Sequence, residues 1–430
     1  MMVTQEGNGQ IFKTVSHLCM IFLKPSHHCI TIACIYLLAL MPDAAAAQAC
    51  GPGDDLLKIR GTYTGHNTTP AGGFVSFYTA PEKNTAVKIM TALETVFKKD
   101  FQLHGGTGKG VFHFREGAYF GKNFLFPYSF NTGFYHFLCE NGVVQPAHEY
   151  GTSLEITANA TINPFFSLPH EFAPYESMFY TTASRKIGYR MISIFSYLVL
   201  ESPGEVEKIN TGTGYTDSKE YLHDAYDKHP DMYRTWYITK PGSKILVEVS
   251  RKEYLESLLE YYDAEKKAIS IKNENLLRES KEYMARYEKN GNREMYESHR
   301  DKVLKAEKEL AATALRYEEK KGKVMAILQE RPANWLQQPA VINPGMRNNS
   351  YCNNSEDFKK TGYFTFAGFY EGGNGYTVYQ WNPALFKKPG ATTPIFFKIS
   401  LRYKKDWPFS TAINDHFSGH LDFDAIRKLL

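Results

Sequence analysis

The chain has 430 residues, with 50 Lys and Arg against 46 Asp and Glu, for a formal net charge of +4. That balance excludes an electrostatic argument for nucleic-acid binding. Six cysteines exclude a disulfide-rich scaffold, and 14% aromatic residues suit aromatic-rich sheets.

The first element is an uncharged apolar stretch, Cys29–Met41, closed by Pro42. A bilayer span takes about 20 residues, so this shorter run reads as a signal-peptide core. Met20 opens MIFLKPSHH, a basic lead-in, which makes it a better initiator than Met1. Ala47-Gln48-Ala49 then places small residues where signal peptidase cuts, leaving Cys50 as the new N-terminus. The expectation is removal of residues 1–49 and export to the periplasm or medium. A lipid anchor on Cys50, and with it membrane attachment, is the minority alternative, because Ala47 stands where a lipoprotein signal wants a bulky aliphatic residue. Of the three cysteines left, Cys139 with Cys352 is the more interesting pairing, and three free thiols is the bland one.

From residue 50 to 250 the expectation is an α+β body. Asn84–Lys99 has helical apolar spacing through Val87, Met90, Leu93, Val96 and Phe97. Strand-like runs follow at Val111–Phe120, at GFYHFLCENGVV with a turn at Asn141-Gly142, and at SLEITANATI. RMISIFSYLVL, Arg190–Leu200, is the most continuously apolar and is expected to be the central strand. YITKPGSKILVEV reads as a hairpin turning at Pro241-Gly242.

Residues 251–330 contain no proline, with 18 basic residues against 17 acidic. This is a helical composition with a solvated surface. Apolar positions follow a four-three alternation from Leu255 to Tyr287 and again from Tyr296 to Ile327, with Asn290-Gly291-Asn292 between. The pattern predicts a long antiparallel two-helix coiled-coil hairpin, each arm about 58 Å long at about 1.5 Å per residue. Lys266, Asn273 and Ser280 thin its seam. Sheet vocabulary returns in residues 331–430 with YFTFAGFY, YTVYQW and PIFFKISLRYK, expected to complete the body before a polar turn and a short helix, DAIRKLL. The fold expected is therefore α+β, an antiparallel sheet body with one long helix near the N-terminus, interrupted by the helical hairpin.

No catalytic motif is assembled. Gly105–Gly110 (GGTGKG) lacks the first glycine and the hydroxyl residue of a phosphate loop and reads as a flexible turn. His148-Glu149 and His170-Glu171 lack the second histidine of a zinc-protease helix, so no metal and no cofactor is expected. His104, His113, His136 and His148 form a histidine-rich stretch that needs no metal, and Cys139 beside His136 on a strand points to the opposite face. His113, Glu116, His136 and His148 are the candidates for a dispersed hydrolase. Tyr370, Tyr376, Tyr379 and Trp381, around Gly372-Gly373-Asn374-Gly375, are the candidates for stacking on glycan or peptidoglycan. Sequons at Asn67, Asn159, Asn348 and Asn353 are assigned no role.

IRGTYTG, PYSFNTGFYHFLCENGVV, GSKILVEVSRKEYLE and PIFFKISLRYK…AIRKLL together resemble a group of uncharacterised exported bacterial proteins, in which an aromatic α+β body carries a charged helical segment. The resemblance implies export and that organisation, and it carries over no functional residue. The preferred expectation is an exported, non-catalytic envelope or secreted protein whose residues 251–330 make protein contacts. A glycan-binding module and a hydrolase are the alternatives.

Overall fold

The computed structural model describes residues 48–65, 74–99, 101–120, 123–162, 166, 168, 172–175, 179–182, 189–200, 203–218, 220–222, 228–343, 364–386 and 390–430. Met20, Ala47 and Cys352 lie outside the described residues. The fold is mixed, with helices and antiparallel sheets in an α+β arrangement. The chain divides into two units, one holding described residues 48–54 and 138–145, the other 55–137 and 146–430.

In the first half the elements are β1 (Thr62–Thr64), α1 (Ala80–Lys98), β2 (Gly106–Phe114), β3 (Ala118–Phe120), β4 (Asn123–Leu125), β5 (Tyr128–Glu140), β6 (Val143–Pro146), β7 (Thr152–Ala158), β8 (Tyr180–Thr182), β9 (Tyr189–Met191) and β10 (Leu198–Val199). There follow α2 (Pro203–Thr211), β11 (Thr216–Asp217), β12 (Asp231–Ile238), β13 (Leu246–Glu248), α3 (Arg251–Lys289), α4 (Arg293–Glu330) and α5 (Ala333–Leu336). The chain closes with β14 (Val341–Ile342), β15 (Tyr376–Trp381), β16 (Phe397–Lys404), α6 (Pro408–His420) and α7 (Phe423–Arg427).

An eight-stranded sheet runs β1-β2-β5-β7-β16-β12-β11, with β6 beside β5. The C-terminal strand β16 thus sits between β7 and β12. One face of the sheet is apolar: Phe112, Phe130, Phe134, Leu154, Ile156, Ile399 and Leu401 pack with α1, α6 and α7 in the main core. The other face follows from the two-residue period of strands. Its rows are His113-Ser129-Thr157-Lys398-Tyr237 and Val111-Asn131-Glu155-Ser400-Thr235, side by side across β2, β5, β7, β16 and β12.

Helix α1 starts earlier than its apolar spacing indicates, because Glu82 accepts from the Thr79 backbone N–H at 2.9 Å and Pro81 opens the first turn. The run Gly105–Gly110 is not a flexible turn: from Gly106 it is strand β2. Alternate glycines here make room for neighbours. A Cβ on Gly110 would stand 2.1 Å from the Tyr63 hydroxyl, and one on Gly106 2.7 Å from the Phe409 ring. Tyr63 Oη donates to Glu94 at 2.9 Å across that space. Gly110→Ala is therefore expected to cost about 1–3 kcal/mol by overpacking, read from urea denaturation. A neutral result would show that Tyr63 does not need the gap.

Three further expectations are corrected. Arg190–Leu200 is not the central strand: Ser193–Ser196 form a 3-10 turn, and Ile194 and Phe195 are buried in a second core. Its ends pair in small sheets, β9 with β8 and β10 with β15, and the turn between them is apolar because Ile194, Phe195 and Tyr197 are buried in the second core. Pro241-Gly242 makes a tight turn, with Gly242 at φ 75°, yet β12 pairs β11 and β16 while β13 pairs β15, so the chain changes sheets there. The described part of YFTFAGFY, Phe364–Tyr370, is irregular, and Phe364 packs into the second core.

In the first unit, Asn141 (φ 54°) and Gly142 (φ 74°) turn β5 into β6 with two left-handed residues, as a tight hairpin requires. Ala49 bridges Val143, and Val144 N–H donates to Gln48 O at 2.9 Å. Cys50 is disulfide-bonded to Cys139, with Cα atoms 5.9 Å apart. The pairing of Cys139 with Cys352 is thereby overturned. A sulfur in this bond cannot also carry a thioether-linked lipid.

Candidate functional site

Helices α3 and α4 form the largest feature outside the sheets. Ser250 caps α3 in a reciprocal box, Glu253 N–H donating to Ser250 Oγ at 3.2 Å and Ser250 N–H to Glu253 at 2.9 Å. Gly291 (φ 68°) breaks the helix, and Asn292 caps α4 through Met295 N–H at 3.1 Å. The base of the pair is part of the body: Tyr254, Leu255, Leu258, Tyr261, Tyr262 and Val324 are buried in the second core with Phe195, Ile342 and Phe364.

Further out, the two helices hold each other by small and polar groups. Asn273, Ser280, His299 and Thr313 are buried. Tyr283 and Tyr287 lie 5.0 and 5.6 Å from the His299 ring. Lys266–Glu318 at 3.5 Å and Lys281–Glu307 at 3.3 Å bridge the edges. Nearer the base, Glu265 and Lys320 form a sealed ion pair at 2.5 Å, with side chains 6% and 7% exposed. The outer face of α4 carries Leu304, 57% exposed, and Leu315, 74% exposed. About three helical turns separate them, so they share a face.

The histidine candidates do not converge. His113 and Glu116 border one cleft on the polar sheet face, together with Arg115, Glu155, Lys398 and Ser400. His136 is on the opposite face, since it lies opposite Gly106 whereas His113 lies opposite Ser129. Those partner positions are separated by roughly 23 Å of strand at about 3.3 Å per residue. His136 packs against Trp407 at 4.7 Å, and burial holds its imidazole below the usual range. His148 and His104 are exposed. Among the described residues no group of three metal-ligating side chains exists. Cys139 is in a disulfide and offers no thiol.

The aromatic candidates do not make one stacking platform either. Trp381 is 6% exposed and stacks on Phe396 at 5.4 Å. Trp381 and Phe396 belong to a third core, on which Tyr379 packs, whereas Tyr376, of opposite parity on β15, packs on the second. Tyr370 covers Gly372 and Gly375, where a Cβ would meet its ring at 2.5 and 2.6 Å. Strand alternation splits the set between two cores, so these residues serve packing.

Sequence reasoning missed the residues that the cleft does collect, chiefly Arg115, Glu155, Lys398 and Ser400. The signal was the alternation in FKISLRYK, which sends Lys398 and Ser400 to the face opposite Phe397, Ile399 and Leu401. Burial, and then the nearby Arg115 charge, hold His113 below its ordinary pKa, which leaves it neutral at physiological pH.

No family model, curated protein or solved structure matches the chain.

Proposed function

We propose that this is an exported, non-catalytic protein in which α3 and α4 act as an antiparallel coiled-coil hairpin that docks a protein partner. The observation that carries the reading is the exposure of Leu304 and Leu315 on one face of α4, beyond the part of the pair that the second core holds. A leucine three-quarters exposed is stabilised by a partner that covers it, at about 25 cal/mol per Å² of apolar surface removed from water. The partner that fits is a helix carrying its own apolar ridge, laid along α4 with Leu304 and Leu315 in its holes. Glu307, Lys308, Glu318 and Glu319 flank that face and supply charges of both signs for the rim.

The Cys50–Cys139 disulfide supports export, because such bonds persist in oxidising compartments. The pairing of Gln48 and Ala49 with Val144 and Val143 favours a mature chain that keeps Gln48, cut after Ala47 in place of the cut before Cys50 expected from the sequence.

Removing all of 251–330 would strip the second core, so the test keeps the base and changes only the face. Leu304→Glu with Leu315→Glu is expected to leave the thermal melt within about 2 °C and to abolish capture of the partner recovered with the unaltered protein after in-cell cross-linking. An unchanged set of cross-linked partners would overturn the reading.

A further inference from the structure

The polar face of the main sheet holds a cleft of about 580 Å³ that the arm does not use. Its floor is built by register: Thr157 and Lys398 are direct cross-strand neighbours, and so are Glu155 and Ser400. Its rim is apolar on one side, where Phe74, Pro127, Ala118 and Ala160 line it. The Phe74 ring is 36% exposed at this edge.

Two cations, Arg115 and Lys398, and two carboxylates, Glu155 and the exposed Glu116, line the cleft, and they are unevenly paired. Arg115 donates to Glu155 and is thereby satisfied. Lys398 is half-buried and makes no hydrogen bond and no ion pair among the described residues. Burial lowers its pKa, partly opposed by Glu155 and Glu205 acting through space and reinforced by Arg115. His113, on the same wall, adds no charge while neutral. An ammonium taken out of water without a hydrogen-bonded counter-ion is costly, and the cheapest remedy is an anion that brings its own oxygens. Ser400 and Thr157 stand beside it with hydroxyls that can donate to such oxygens.

We propose that this cleft binds a small carboxylate, its charge meeting Lys398 and its apolar body lying against Phe74. The cavity falls in the range of small-molecule sites, about 300–1,000 Å³. The carboxylate replaces the missing counter-ion, Ser400 and Thr157 fix its orientation, and Glu155, held by Arg115, leaves Lys398 free to engage it.

The test is calorimetric titration of the full chain with 2-naphthoate, with its neutral isostere 2-naphthamide, and with inorganic phosphate. Naphthoate is expected to bind at least tenfold more tightly than naphthamide, and phosphate weakly. Lys398→Met should bring naphthoate and naphthamide within about twofold of each other. Phe74→Ala, a surface change that leaves the core intact, should weaken naphthoate several-fold and leave acetate, titrated as the carboxylate without an apolar body, unchanged. Equal binding of acid and amide by the unaltered protein, or no naphthoate binding below about 10 mM, overturns the proposal. Phosphate binding as tightly as naphthoate overturns its apolar half, and Phe74→Ala without effect does the same.

Discussion

Lys320→Met is expected to destabilise the protein by about 3–5 kcal/mol, the cost of breaking a buried pair by removing one partner. Glu265 and Lys320 meet at 2.5 Å with almost no exposure, and the Lys320 ammonium also lies 4.3 Å from the centre of the Tyr262 ring. Burial pulls the Lys320 pKa down while Glu265 pulls it up, so each charge is tolerated because of the other. The variant removes the counter-charge and leaves the carboxylate in an apolar seam. Glu265→Leu with Lys320→Met should regain most of the loss, since an apolar pair of similar volume carries no desolvation penalty. Urea denaturation of the three proteins measures this. A cost below about 1 kcal/mol for Lys320→Met would show that the pair is solvated and that the helices part at this level.

Cys139→Ser should cost about 2–5 kcal/mol. The bond joins residues 89 apart in sequence and closes a loop that contains β1, α1 and β2, so its loss frees a large part of the unfolded chain. The unaltered protein should lose the same stability in dithiothreitol, and the variant should be indifferent to it. Identical melts with and without reductant in the unaltered protein would show that the bond does not form.

The α+β character was legible because strand and helix periods are both strong in this chain, and the left-handed Asn141-Gly142 turn has a strong local signal. The errors have separate physical causes. Gly106, Gly108 and Gly110 look like a loop until Tyr63 and Phe409 are seen to need the space, and that requirement comes from residues far away in sequence. Pro241-Gly242 specifies a turn, not the sheet that each flanking strand joins. Where a polar turn is expected from its polar residues, helix α6 carries a readable signal, with Pro408 in the first turn and Phe409, Ile413 and Phe417 at helical spacing. The cleft was hidden because its members come from five separate stretches: Phe74, His113–Ala118, Pro127, Glu155–Thr161 and Lys398–Ser400. Only the register of β2, β5, β7 and β16 brings the strand-borne members together, and no local pattern encodes it.

The account depends most on the outer face of α4 being covered by another protein in the compartment where the chain works. A photo-reactive amino acid placed at Leu315 in the full-length chain tests this directly, with the same group at exposed Lys323 as the control. Irradiation of intact cells should give a discrete protein adduct from position 315 and a much weaker one from 323. Equal labelling at both positions, or none at 315, would contradict the docking role of the helical pair.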